Sequence, residues 1–164
     1  MWRLLRDRLH APDSLCVAGC EVLETARHLF LECGTSSTLW SYVSTWLSLY
    51  LVTPYELRDH HIQFCYMAGL LRCTHSYLKG IWYACVWVIW KDRNDRIFQN
   101  QITHPSVLIE KINLHSFIWM KAKQISFNYC YYDWWAHPPL YGCSPLIYFD
   151  CFFGRNPLCG SLRL

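Results

Sequence analysis

Four side chains in the first fifth of the chain have the types and spacing to hold a metal ion. They are Cys16, Cys20, His28 and Cys33, in the pattern C-x3-C-x7-H-x4-C. Three thiolates and one imidazole suit tetrahedral Zn2+, which takes sulfur and nitrogen ligands. Cys16 and Cys20 are close enough to form a knuckle, with Gly19 relieving the tight turn. His28 and Cys33 flank Leu29-Phe30-Leu31, a spacing that suits a helix start or a turn returning to the metal. Four protein ligands close the shell and leave no position for water, so such a site is structural and not hydrolytic. Three thiolates around a dication leave a charge of about −1, for which Arg27 or nearby donors would be partners. Ordinary buried cysteines and one histidine have the same spacing, and the pattern alone leaves both readings open.

Other chemistry-bearing residues make weaker patterns. His60, His61, Cys65, Cys73 and His75 follow no metal-ligand spacing and read as incidental. Cys143, Cys151 and Cys159 recur every eight residues, but in a segment with no evident scaffold. No Cys–His pair stands out as a nucleophile and its base. No paired-Asp polymerase motif is present, and Asp92, Asp95 and Glu110 read as solvated charges on helix faces. The chain is therefore expected not to be an enzyme. Positive charge gathers in residues 91–123, where Lys91, Arg93, Arg96, Lys111, Lys121 and Lys123 face three acids. These six could meet a phosphate backbone of RNA or single-stranded DNA. An ordinary solvated helix surface explains them as well. The aromatics from Tyr129 to Trp135 could stack on bases or fill a core.

The elements that position these residues must come from a chain of 164 residues, 53% apolar and 17% aromatic. That is long enough for a core and too apolar for a disordered chain. A net charge of +3 does not by itself call for nucleic acid. The start, MWRLLRDRLHAP, lacks the apolar run of a secretory signal. Ten cysteines without such a signal read as reduced thiols in the nucleus or cytoplasm, not in a secreted protein. The longest uncharged run, Gly80 to Trp90, is well short of the roughly 20 residues a membrane helix needs.

Three stretches follow: a zinc knuckle over 1–34, a helical region packed with it over 35–135, and an irregular tail over 136–164. The tail holds four of the seven prolines and only three charged residues. Residues 35–53 read as a helix ended by Pro54, with Ser36 or Ser37 as cap and Leu39, Trp40, Val43, Trp46, Leu47 and Tyr50 on one side. A short helix is expected within 55–75. A longer one over 76–99 carries Leu78, Trp82, Cys85 and Ile89 on one face, and Ile81–Trp90 is apolar all round, as for the middle of a bundle. A helix opens near Pro105, and Val107, Leu114, Ile118 and Ile125 continue helical spacing toward residue 127. The expected fold is mainly α.

Cys16-Val17-Ala18-Gly19-Cys20, Glu24-Thr25, His28-Leu29-Phe30-Leu31-Glu32-Cys33 and Leu39-Trp40 together resemble the zinc-binding region that follows the reverse transcriptase in plant LINE-type (non-LTR) retrotransposons. Trp87-Val88-Ile89-Trp90-Lys91-Asp92-Arg93-Asn94, with Ile97-Phe98, is similar to a second hallmark of those sequences. Trp134-Trp135-Ala136-His137-Pro138 is similar to the end of legume copies. The resemblance spans roughly residues 4–140. The first Cys pair has three intervening residues where many relatives have fewer, and the chain begins well inside the usual region. The resemblance implies Zn2+ on Cys16, Cys20, His28 and Cys33, a noncatalytic role, no small-molecule substrate and a nucleic-acid partner. The alternatives are a structural or protein–protein module, or a nonfunctional remnant of an element.

Overall fold

The computed structural model describes residues 14–67, 70, 72–123, 127 and 129–136. The irregular tail expected after Ala136 lies outside them, as do residues 1–13 of the knuckle stretch and Ile125. A hairpin-like turn closed by an antiparallel bridge between Leu15 and Leu23 comes first. A π-helical turn over His28–Glu32 follows. Five helices complete the bundle: α1 (Gly34–Trp46), α2 (Leu57–Cys65), α3 (Arg72–Gln99), α4 (Pro105–Lys123) and α5 (Tyr131–Ala136). The fold is mainly α, and the described residues contain no strand beyond that one bridge.

Helix α3 is the axis of the bundle, with α2, α4 and the π-turn packed on it. Its expected face is buried: Leu78, Trp82 and Cys85 are fully enclosed and Ile89 nearly so. Ile81, Ala84, Val86 and Val88 are enclosed as well, which is why the run has no polar side. Each large apolar side chain buried there contributes about 1.5–3 kcal/mol of transfer free energy. No described helix is long and apolar enough to cross a membrane. α4 approaches α3 at Gly80, where a Cβ would stand 2.8 Å from the Met120 sulfur.

Helix α1 is shorter than its composition suggests. It stops at Trp46, and Ser48 takes a left-handed φ of 51°. The Leu49 N–H then donates to the Ser44 carbonyl at 2.9 Å and the Ser48 N–H to Thr45 at 3.1 Å, a Schellman arrangement. Leu47 and Leu49 are both buried. Two residues apart, they cannot share one helical face, and the reversal at Ser48 lets both point inward. Tyr50, expected on the buried face, is fully exposed as a result. Ser36 is not a cap either: the helix opens at Gly34, and the Ser36 hydroxyl donates to the Leu29 carbonyl.

In α4 the residues read at helical spacing are not the ones that face the core. Val107, Leu114 and Ile118 are 40–48% exposed, while Leu108, Ile112, Phe117 and Met120 form the core face. The helix carries apolar residues on both sides, so periodicity could not choose between them, and packing on α3 did. The chosen face also encloses Asn113 and Ser116. Ser116 Oγ accepts from the Trp134 indole at 3.1 Å, which fixes α5 against α4. Trp134 is fully buried among Trp46, Tyr77 and Phe127. The terminal aromatics are therefore divided, with Trp134 in the core and Tyr132 and Trp135 about half exposed.

A second aromatic cluster joins α1, α2 and α3 around His60. Its ring lies 4.5 Å from that of Trp40, and its Nδ1 accepts from the Trp82 indole at 3.1 Å. Burial pushes the His60 imidazole down to about 4. The fold thus holds this side chain neutral, whereas the unfolded chain protonates near 6.5. The sign follows: its contribution is intact above pH 6.5 and is lost as pH falls toward 4. Over that window the loss is on the order of 3 kcal/mol. His60→Gln retains an acceptor for Trp82 and does not titrate. Its denaturant midpoint is expected to fall less than the parent's between pH 6.5 and 4. Equal slopes for the two chains would show that His60 is not the acid-sensitive group.

Candidate metal centre

The local sequence builds the first half of the site from a tight turn. Gly19 has φ +82°, a conformation that an L side chain resists, and its N–H donates to the Cys16 carbonyl at 3.0 Å. Cys16 N–H to Val22 and Glu24 N–H to Ser14, both 2.8 Å, close the hairpin and bring Cys20 back beside Cys16. The second half hangs on the π-turn. The Thr25 hydroxyl accepts from the His28 N–H at 3.0 Å at its start. The Cys33 N–H donates to the His28 carbonyl at 2.7 Å at its end. This wide turn places two residues five apart on the same side. Leu29, Phe30 and Leu31 between them are buried, and Trp40 donates to the Phe30 carbonyl at 2.7 Å. The hydrophobic insert and α1 therefore set the position of His28 and Cys33.

The outcome is a compact Cys3His group. The ligand atoms of Cys16, Cys20, His28 and Cys33 all lie within 4.8 Å of one another. Cys33 Sγ stands 3.8 Å from Cys16 Sγ and 3.7 Å from Cys20 Sγ. Bonds of about 2.3 Å from a tetrahedral ion put sulfurs about 3.8 Å apart. All three thiols are free, with no disulfide among them. His28 Nε2 is buried with no hydrogen-bond partner. A buried imidazole nitrogen without a partner is costly, and an ion among the sulfurs would remove that cost. The four side chains can hold a metal ion, and among the described residues no other His, Cys, Asp or Glu group does so. His60, His61, Cys65 and His75 are not gathered into one.

The polar surroundings differ among the thiols. The Gly34 N–H, at the first turn of α1, lowers the Cys20 thiol, and the Arg96 charge acts in the same direction. Burial pushes the Cys16 thiol up to about 11, with Cys33 beside it adding to the effect. A bound cation reverses that preference by taking the place of the thiol protons. Arg27, the expected charge partner, is instead paired with Glu32 at 2.5 Å and stacked on Tyr55 at 3.8 Å.

The cationic residues of 91–123 do not form one group. Arg93 donates from Nε and Nη2 to Glu24 Oε1, each at 2.5 Å, and the Glu24 side chain has no exposed surface. Arg96 is held by Asp92 at 2.7 Å and Lys91 by Asp95 at 3.0 Å. Asp92 and Asp95, expected to be solvated, are 5% and 8% exposed. Arg93 and Arg96 thus support the knuckle from α3, lining with Cys16 and Cys33 the cleft between them. Lys121 and Lys123 stand exposed at the end of α4, and Lys111 is half-buried on the same helix. Sequence reasoning missed Glu24 as a buried partner, since a lone acid in a turn carries no signal of its depth. Compared with protein-family models, curated proteins and solved structures, the chain matches none.

Proposed function

We propose that this chain is a noncatalytic zinc-binding module derived from a retrotransposon reverse transcriptase polyprotein, and that it binds RNA or single-stranded DNA. The observation that carries the reading is the closed Cys3His group. Three sulfurs and one nitrogen within 4.8 Å of one another favour Zn2+ over harder cations, and a filled shell stabilises without activating water. Its origin is supported by where the resembling residues meet. Glu24 and Arg93, from two segments far apart in sequence, pair with each other. Trp40 ties α1 to the turn between the last two ligands. These hallmark residues have structural tasks in one assembly.

Zn2+ at this site supplies folding free energy and no reaction. The chain's own residues orient it: the Gly19 turn and the π-turn set the four ligands, and Glu24–Arg93 docks them on α3. The nucleic-acid face is then the end of α4, where Lys121 and Lys123 are exposed and Lys121 lies over the Phe117 ring at 5.6 Å.

Titration of the zinc-loaded chain with an oligoribonucleotide over a range of salt tests this face. Each neutralised phosphate on a single strand contributes a slope of about −0.7 in log K against log salt. Replacing Lys121 and Lys123 by Ala should reduce the slope by about 0.7 for each phosphate no longer neutralised. The fold should be unaffected, within about 0.5 kcal/mol, because both side chains are at the surface. A parent chain without salt-sensitive binding would remove nucleic acid as the partner. The protein–protein alternative would then gain ground from the exposed Trp87, Leu114 and Ile118.

A further inference from the structure

A groove of about 660 Å³ is bounded by α1, Leu31, His60 and the segment from Ser48 to Thr53. Pockets for small ligands run from about 300 to 1,000 Å³. Among the described residues no Asp, Glu, Lys or Arg lines it. The α1 wall presents Ser41, Ser44 and Thr45. Ser44 and Thr45 spend their hydroxyl protons on the carbonyls of Trp40 and Ser41, at 2.8 and 2.9 Å. Their oxygens are left as acceptors.

His60 supplies the opposite character. It lines the same groove, although only 3% of its surface is exposed. Because Nδ1 accepts from Trp82, the ring proton of the neutral imidazole is on Nε2. Among the described residues Trp82 is the one hydrogen-bond partner of this ring, which leaves the Nε2 proton to be given. An acceptor that enters the groove can take the hydrogen bond of that proton. At the rim, Tyr50 is fully exposed on a segment where both neighbouring leucines are at least partly buried. An exposed aromatic at a groove mouth is a stacking platform.

We propose that this groove takes one nucleobase of a bound single strand, as an uncharged planar ring with hydrogen-bonding edges. Ring carbonyls accept from His60, ring N–H groups donate to the serine and threonine oxygens, and the flat face stacks on Tyr50. A phosphate is disfavoured because no cation among the described residues lines the walls. The inference rests on the nucleic-acid reading of this chain and assigns the base to α1, apart from the lysines of α4.

A free nucleoside tests the groove without involving the lysines. In the zinc-loaded full chain, uridine should shift the His60 imidazole and Trp40 indole NMR signals saturably, with a Kd of about 1–10 mM. Tyr50→Ala removes a stacking face and should weaken binding about tenfold. That side chain touches no core, so the variant folds even if a groove-filling Ser41→Phe does not. Where Ser41→Phe folds, it should abolish the shifts. Lys121→Ala with Lys123→Ala should leave uridine binding unchanged. Loss of salt-dependent RNA binding with uridine binding retained would sink the α4 face and leave the groove in place. The groove assignment is overturned by absence of a saturable shift at about 20 mM uridine, by an unchanged Kd in Tyr50→Ala, or by glucose binding there as tightly as uridine.

Discussion

Replacing Cys33 by Ser is expected to abolish stoichiometric zinc binding and to unfold the segment from Ser14 to Cys33. Cys33 is 2% exposed, and its sulfur stands within 3.8 Å of both other thiols. It also closes the π-turn and directly precedes α1. A hydroxyl at that position cannot supply the soft anionic ligand. Structural zinc in small fingers supplies apparent binding free energies of about 10–16 kcal/mol at neutral pH, which is folding free energy when the apo site is unformed. The effect should therefore be larger than that of any core truncation. Metal analysis of purified protein and thermal melts with and without a chelator measure it. The parent should melt lower with chelator, and Cys33→Ser should melt low in both conditions. Cys85→Ala is the control: that thiol is fully enclosed in α3 but outside the group, so the variant should keep its zinc. Retention of one zinc per chain by Cys33→Ser would rule out the four-ligand site.

The second large effect is expected at Arg93. Its replacement by Ala leaves the Glu24 carboxylate buried without its cation. Removing one partner of a buried ion pair costs about 3–5 kcal/mol, most of it the desolvated charge left behind. Lys123 gives the contrast. It is exposed at the end of α4, and Lys123→Ala should cost no more than about 0.5 kcal/mol. The double variant Glu24→Leu, Arg93→Met removes both charges and should recover most of the loss, because well-packed apolar side chains often replace a buried pair without penalty. Urea midpoints of the four chains decide the comparison. Zinc affinity should fall with Arg93→Ala, since the pair docks the knuckle on α3. If Arg93→Ala instead kept its stability and lost only RNA affinity, Arg93 would bind phosphate and not support the knuckle.

The ligand set shows why some of the structure is legible in a sequence. Cys16, Cys20, His28 and Cys33 span 18 residues, and their approach depends on local turns whose chemistry is written beside them. Gly19 permits the first turn, and the buried Leu29-Phe30-Leu31 insert drives the second. The core face of α3 was legible for a similar reason. A run without a polar side has to bury most of itself whichever neighbours it meets, although Trp87 stays 40% exposed.

Composition and local pattern thus determined a mainly α bundle, its central helix, the approximate start of α4 at Pro105, and a four-ligand group able to hold a metal. The tertiary structure alone decided which face of α4 is buried, since both faces are apolar and only packing against α3 distinguishes them. It decided where α1 stops, because Leu47 and Leu49 needed burial on a core that no local window contains. It also decided what Arg93 does. Whether a cation meets water, a phosphate or a buried carboxylate depends on what lies across from it, and Glu24, 69 positions away in sequence, lies across from Arg93 only in the folded chain.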